Sequence, residues 1–142
     1  MGVLTDIVVV DAAQAHAVLH AQVPSESFPG FDAKGLDQLK LASLRAILEG
    51  EEYDEEWADR IPLVAGDETS DGPWVFQLPD DFVASLALLR RSDEARIAAA
   101  WLATEDFAGW ALDGVGDMLH ELAACARRAA EANKKLLMWI CP

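Results

Sequence analysis

Strongly apolar runs stand at the two ends of the chain. VLTDIVVVD, residues 3–11, is rich in β-branched side chains, which favour strands. LLMWIC, residues 136–141, is equally apolar and is followed by Pro142. A run without polar alternation is typical of a strand that is buried on both faces of a sheet. We therefore predict that the last segment is a buried strand lying next to the first.

Helical periodicity is clearest in two segments between these runs. Residues 33–50 predict a helix that Asp32 caps and Gly50 ends. Residues 113–133 predict a long helix that begins at Asp113. In the long helix, apolar residues at spacings of four, three and four form a stripe expected to be buried: Val115, Leu119, Leu122 and Ala126.

Shorter elements fill the remaining chain. Helices are expected after Asp11, from Pro79 and from Ser92, and residues 25–31 (SESFPGF) are expected to form a loop. The apolar runs at 61–66 and 73–78, joined by DETSDG, predict a hairpin or neighbouring edge segments. Residues 1–142 are thus predicted to form a single helix-rich α+β domain with a small sheet that joins the N-terminal and C-terminal strands.

Composition and charge narrow the class of partner. Hydrophobic residues make up 52% of the chain, which favours a folded core over disorder. Against 11 Lys and Arg there are 25 Asp and Glu, a net charge of −14. Such a charge repels a phosphate backbone and steers cations and basic proteins towards the surface. We expect no nucleic-acid partner, and a basic protein is the partner class that the charge favours.

Two cysteines and the absence of a visible export signal indicate a reducing compartment. The longest apolar stretches, such as residues 82–89, fall well short of the roughly 20 residues of a membrane helix. The expectation is a cytoplasmic protein that is not bound to a membrane.

A run of seven acidic residues within residues 49–59 is the strongest candidate for a binding surface. Acidic groups steer a basic partner and aromatic rings supply contact area. The predicted partner-binding residues are Glu51, Glu52, Tyr53, Glu55, Glu56 and Trp57. The alternative interpretation is that the run is only a solvated, charged face.

Lys40 falls inside the apolar stripe of the helix predicted at 33–50. A lysine at such a position extends its ammonium group to water, pairs with a carboxylate or has a lowered pKa. The third case would make it reactive. An alternative site is therefore a pocket formed by Phe28, Phe31 and Lys40, with His16 nearby.

No metal, cofactor or catalytic motif is complete in this sequence. His16 and His20 have the i, i+4 spacing of zinc ligands but no third ligand nearby, and they are expected to face water. DETSDG matches the start of a calcium loop, but Leu78 stands where the bidentate carboxylate is needed. Cys125 is expected to be a small buried hydrophobe. We predict no catalytic residue, metal ion or cofactor.

The order of these features resembles the YfbM-like group of small uncharacterised bacterial proteins. The resemblance rests on FDAKGLDQLKLASLRAILEG (residues 31–50), IPLVAG, a Leu-Pro-acid-acid helix start, and a long C-terminal helix followed by a strand. The Trp-His pair of the family's helix is absent, where this chain has Gly35 and Leu36. The resemblance implies a fold and carries no activity.

Together these features favour a non-enzymatic cytosolic protein-binding domain, an adaptor or an inhibitor of the immunity-protein kind, whose acidic face engages a basic protein. The competing class is a small-molecule-binding protein or an enzyme that uses the pocket near Lys40.

Overall fold

An antiparallel sheet of five strands organises the described chain, residues 3–107 and 109–142 of a computed structural model. In chain order the strands are β1 (Leu4–Val10), β2 (Gly30–Asp32), β3 (Leu63–Ala65), β4 (Trp74–Gln77) and β5 (Lys135–Cys141). Their order across the sheet is β2-β1-β5-β4-β3. The last strand of the chain therefore lies in the middle of the sheet.

The first and last strands are direct neighbours, as the sequence predicted. β1 pairs with β5 from Leu4 opposite Cys141 to Val10 opposite Lys135, and the other edge of β5 pairs with β4. Residues 136–140 are each no more than 5% exposed. A strand paired on both edges and covered on both faces accepts apolar side chains at every position. This position explains why the chain ends on an unbroken apolar run.

Helices cover both faces of this sheet, and the fold is the predicted helix-rich α+β class. Within the described residues the α-helices are α1 (Ala15–His20), α2 (Pro24–Ser27), α3 (Gln38–Glu49), α4 (Glu55–Asp59), α5 (Asp80–Ala87), α6 (Arg91–Leu102) and α7 (Leu112–Ala132). None of them has the length and apolarity that a membrane span requires.

The apolar core divides into two clusters, because successive residues of a strand point to opposite faces. The larger cluster joins Ile7 and Met138 to buried residues of α3, α5, α6 and α7. The smaller cluster joins Val8 and Trp139 to α1, on the other side of the sheet. The long helix presents the predicted stripe to the larger cluster: Val115, Leu119, Leu122 and Ala126 are fully buried.

The predicted helix at 33–50 begins later than expected. α3 starts at Gln38, and its N-cap is Asp37, whose side chain accepts a hydrogen bond from the Lys40 backbone N–H at 2.9 Å. Asp32, the predicted cap, lies instead in β2. Both aspartates precede a helical pattern in the sequence. Because the chain at Asp32 pairs with β1, the helix begins only after Asp37. The helix ends at Gly50, as predicted.

Residues 25–31 are not a loop, which corrects the prediction. They contain the end of α2 and the start of the edge strand β2. A strand of three residues has too few positions to show an alternating pattern. Its key residue is Gly30, opposite Val8 of β1, where an added Cβ would lie 1.9 Å from the Ile7 carbonyl oxygen. Glycine is therefore what allows β2 to approach β1.

The smaller elements follow the predictions with shifted ends. β3 and β4 pair antiparallel as the predicted hairpin. The helix expected after Asp11 is a 3-10 turn, Ala12–Gln14, followed by α1. Pro79 precedes α5 as its N-cap, and α6 and α7 each begin one residue before the predicted cap.

Gly30 and Gly116 should respond to alanine in opposite directions. We expect Gly30→Ala to lower the free energy of unfolding by about 1–3 kcal/mol, because the new methyl group overlaps β1. Gly116→Ala, in α7 with open space around it, should raise it by about 0.5–1 kcal/mol. Urea unfolding of both variants tests this, and equal midpoints for Gly30→Ala and the parent protein would contradict the strand contact.

Candidate functional site

The acidic segment, residues 49–59, lies mostly at the surface, with Trp57 and Ala58 buried. Glu51, Glu52, Glu55 and Glu56 are exposed, and Tyr53 is 49% exposed. Trp57 is only 7% exposed and packs edge-on against Phe82, with ring centroids 5.2 Å apart. The prediction that Trp57 offers contact area to a partner is therefore corrected. The cause is α4, which turns this residue inwards while its glutamates stay in water.

The segment carries more negative charge than its own cations neutralise. Arg60 pairs with Asp54 at 3.3 Å and with Glu56 at 3.8 Å. Asp54 also caps α4 by accepting from the Glu56 backbone N–H at 3.0 Å. Among the described residues, Glu52 and Glu55 have no ion pair. These two carboxylates are therefore available for an external cation.

Arg45 of α3 fixes the acidic segment in place. Its guanidinium lies 3.2 Å from a carboxylate oxygen of Glu51 and 5.7 Å from the ring centroid of Trp57. The Arg45 side chain is 21% exposed, so both contacts are partly shielded from water. Arg45 thus holds both Glu51 and Trp57 against α3.

A cleft of about 450 Å³ opens between α3, this segment and the turn after α6. It is lined by Ser43, Ala46, Ile47, Glu51, Tyr53, Thr104 and Glu105. Ser43 and Ala46 are buried, so they form the floor; Glu51, Tyr53 and Glu105 are exposed, so they form the rim. We call this feature the acidic cleft. It combines an apolar interior with carboxylates on two of its sides.

Thr104 and Glu105, which follow α6, form a part of the acidic cleft that we call its second wall. This wall is built on aromatic packing. Trp101 and Phe107 pack edge-on with centroids 4.8 Å apart, and Phe107 and Trp110 do so at 5.0 Å. Thr104 lies between Trp101 and Phe107 in the sequence, and its hydroxyl donates to the Trp101 carbonyl oxygen at 2.7 Å. The rings therefore define where Thr104 and Glu105 stand.

Lys40 attaches this second wall to α3. Its ammonium lies 5.5 Å from the Phe107 ring centroid and 5.8 Å from that of Trp110, and 3.5 Å from Asp37. The Trp101 indole N–H donates to the Lys40 carbonyl oxygen at 2.9 Å. The Lys40 side chain is 12% exposed. Its place in the apolar stripe is thus explained by aromatic rings and a carboxylate partner.

The structure does not bring together the residues of the predicted alternative pocket. Phe28 packs against the smaller cluster, whereas Phe31 packs against the larger one on the other side of the sheet. Lys40 lies on the side of the larger cluster through Phe107. His16 is exposed on α1, which covers the opposite face. The sheet therefore separates Phe28 and His16 from Lys40.

The structure also shows the surroundings of the three histidines and of the DETSDG turn. His16 and His20 are both exposed, as expected, and the described residues contain no group of three metal-ligating side chains. In the DETSDG turn, the Thr69 hydroxyl and backbone N–H donate to Asp67 and lower the pKa of its carboxyl. His120 contacts Glu94 of α6 at 2.8 Å, which links two helices.

Thr104, Glu105 and the floor residues of the cleft were missed by sequence reasoning. Thr104 lies about sixty positions from α3 in the sequence, and the two segments meet through the contacts of Lys40 with Trp101, Phe107 and Trp110. No local pattern marks such a meeting. The tryptophan-rich stretch from Trp101 to Trp110 indicates tertiary packing, but it does not indicate that α3 is the element it packs against.

Comparison with known proteins adds no relative. No family model matches the chain, and neither the curated proteins nor the solved structures contain a match. The resemblance to the YfbM-like group therefore stays a prediction.

Replacing Lys40 should loosen the attachment of the second wall. We expect Lys40→Met to lower the free energy of unfolding by about 0.5–2 kcal/mol, because methionine keeps the stem but loses the charge over two rings. The matched control is Lys34→Met, an exposed lysine with no ion pair among the described residues. Urea unfolding followed by tryptophan fluorescence measures both. Equal losses in the two variants would show that the ring contacts contribute nothing.

The two thiols should differ in reactivity. Burial raises the pKa of Cys125 to about 11, whereas Cys141 is partly exposed at the end of β5. At pH 8 only about one Cys125 side chain in a thousand would be ionised, and it is shielded as well. A Cys141→Ser variant should therefore release no chromophore from a disulfide reagent until urea unfolds it. Rapid reaction of the folded variant would contradict the burial of Cys125.

Proposed function

We propose that this protein is a non-enzymatic cytosolic binding domain that captures a cationic segment of a partner protein at the acidic cleft. An adaptor and an inhibitor of the immunity-protein kind are two roles of this class. The observation that carries the proposal is the rim of the cleft, where the exposed Glu51 and Glu105 stand beside a largely apolar interior. Exposed like charges that have no internal partner cost stability by mutual repulsion, and a cationic partner removes that cost.

The wider charge distribution supports a basic protein over a nucleic acid. The net charge of −14 opposes any phosphate backbone, so the long-range field and the local surface favour the same sign of partner. Free Cys125 and Cys141 fit the reducing conditions of the cytosol. Electrostatic steering of this kind raises the association rate and weakens as salt increases.

A small apolar ligand is the second candidate function. The cleft volume of about 450 Å³ lies within the range of small-molecule sites, roughly 300–1,000 Å³. A ligand of this class would use the floor of the cleft, and it would bind independently of salt. This candidate replaces the pocket predicted near Lys40, whose residues the sheet separates.

The test is affinity capture with three tagged baits from lysate of the host, at low and at high salt. The baits are the parent protein, Glu52→Lys/Glu55→Lys, and a control pair, Glu26→Lys/Glu131→Lys. Each double variant changes the net charge from −14 to −10, since two replacements of −1 by +1 add four. The control residues are exposed on α2 and α7, outside the acidic segment, whereas Glu52 and Glu55 belong to that segment, and Glu52 is next in sequence to the rim residues Glu51 and Tyr53.

The parent protein and the control should retain one basic protein in stoichiometric amount at low salt and lose it as salt rises. The bait with reversed charges at residues 52 and 55 should lose at least about nine-tenths of it, equivalent to 1.4 kcal/mol or more. Equal retention by all three baits would locate binding elsewhere. An empty eluate from every bait would overturn the proposal and direct attention to small molecules.

A further inference from the structure

Inside its charged rim, the acidic cleft is lined by small and apolar side chains. Ser43 and Ala46 on the floor are 5% and 6% exposed, and Ile47 borders them as a half-buried apolar side chain. Exposed ion pairs contribute little affinity, commonly 0–1 kcal/mol each. Affinity at protein interfaces comes instead from an apolar anchor that is desolvated in a pocket and surrounded by polar contacts.

We propose that the cationic segment carries one large apolar side chain between basic residues, and that this side chain enters the acidic cleft. This inference rests on the proposed function and specifies the partner. The anchor would lie on Ala46 and Ile47, and the basic residues on either side of it would face Glu51 and Glu105. The recognised pattern is therefore basic–apolar–basic.

The arrangement of charges favours this pattern over a uniformly basic segment. Glu51 and Glu105 belong to two different segments that line the cleft, one held by Arg45 and the other following the aromatic packing of Trp101. A bound segment that contacts both lining segments would therefore meet a carboxylate on each of them. Among the described residues Glu105 has no ion pair, and Glu51 pairs with Arg45 alone. Between them, the described lining residues of the floor are Ser43, Ala46 and Ile47.

The size of the cleft suits one large side chain. At about 30 Å³ per molecule, a volume of about 450 Å³ corresponds to about fifteen waters. A single leucine or aromatic side chain is smaller than this, so the cleft also has room for parts of the residues on either side of it. Burying a leucine side chain contributes roughly 1.5–3 kcal/mol, which corresponds to at least about a tenfold gain in affinity.

A second copy of this chain is a less suitable occupant. Each copy carries a net charge of −14, so association of two copies is opposed at long range. A neutral apolar molecule would leave the carboxylates of the rim unused. An acidic segment would be repelled by them.

The experiment compares two synthetic peptides of equal charge, acetyl-KKLKK-amide and acetyl-KKSKK-amide, by isothermal titration at low salt. We expect the leucine peptide to bind at least about tenfold more tightly to the parent protein. Ala46→Leu, which fills the floor, should reduce this preference to less than about threefold. Ala130→Leu, on an exposed position of α7, should leave it unchanged. If Ala46→Leu does not fold, Ile47→Thr tests the same contact.

The outcomes separate this inference from the proposed function. If both peptides bind equally well and both are lost in Glu52→Lys/Glu55→Lys, the acidic surface binds cations and the anchor is wrong. If neither peptide binds, the inference and the proposed function are both overturned. If sedimentation shows a dimer that Ala46→Leu dissociates, a second copy occupies the cleft and the inference is wrong.

Discussion

The pairing of the first strand with the last is the constraint on which this fold depends. β5 forms backbone hydrogen bonds with β1 on one edge and with β4 on the other, and residues 136–140 are almost without exposure. Such a strand needs cover on both faces, because its side chains are apolar in both directions. α7, which leads directly into β5, covers one face together with α3, α5 and α6, and α1 covers the other. The sheet thereby separates the acidic cleft from Phe28 and His16.

Within this frame, α3 organises the surface through two cations. Lys40 and Arg45 are five residues apart, about 140° around the helix, so they reach segments on different sides of it. Lys40 holds the aromatic turn after α6, and Arg45 holds the acidic segment before α4. The cleft is the space between the two attached segments. An acidic protein thus uses two of its few basic residues to position the carboxylates that it presents to water.

The elements that sequence predicted well are those whose signal is local. The stripe of α7 and the apolar run of β5 follow from periodicity and composition alone, since burial decides both. Gly50 ended α3 because a left-handed residue there stops a helix. These features are sufficient to define the fold class and the neighbouring positions of β1 and β5.

The features that sequence did not predict depend on contacts between distant segments. Gly30 forms a strand only because β1 lies beside it, and the N-terminus of α3 moved to Asp37 for the same reason. Trp57 looked like a surface aromatic among acids, but a helix of five residues turned it against Phe82. Of the residues that line the acidic cleft, Glu51 and Tyr53 lay in the predicted acidic run. Thr104 and Glu105 join them through the packing of Trp101 and Phe107.

The central proposal is that the acidic cleft beside α3 is a binding surface for basic segments. The most direct test is a titration of ¹⁵N-labelled protein with acetyl-KKLKK-amide, followed by backbone amide shifts. The account predicts shifts concentrated at Ser43, Ala46, Ile47, residues 51–56, Thr104 and Glu105, with α1 and β2 unchanged. Shifts centred on α1 and Phe28, or spread evenly over all acidic residues, would contradict it.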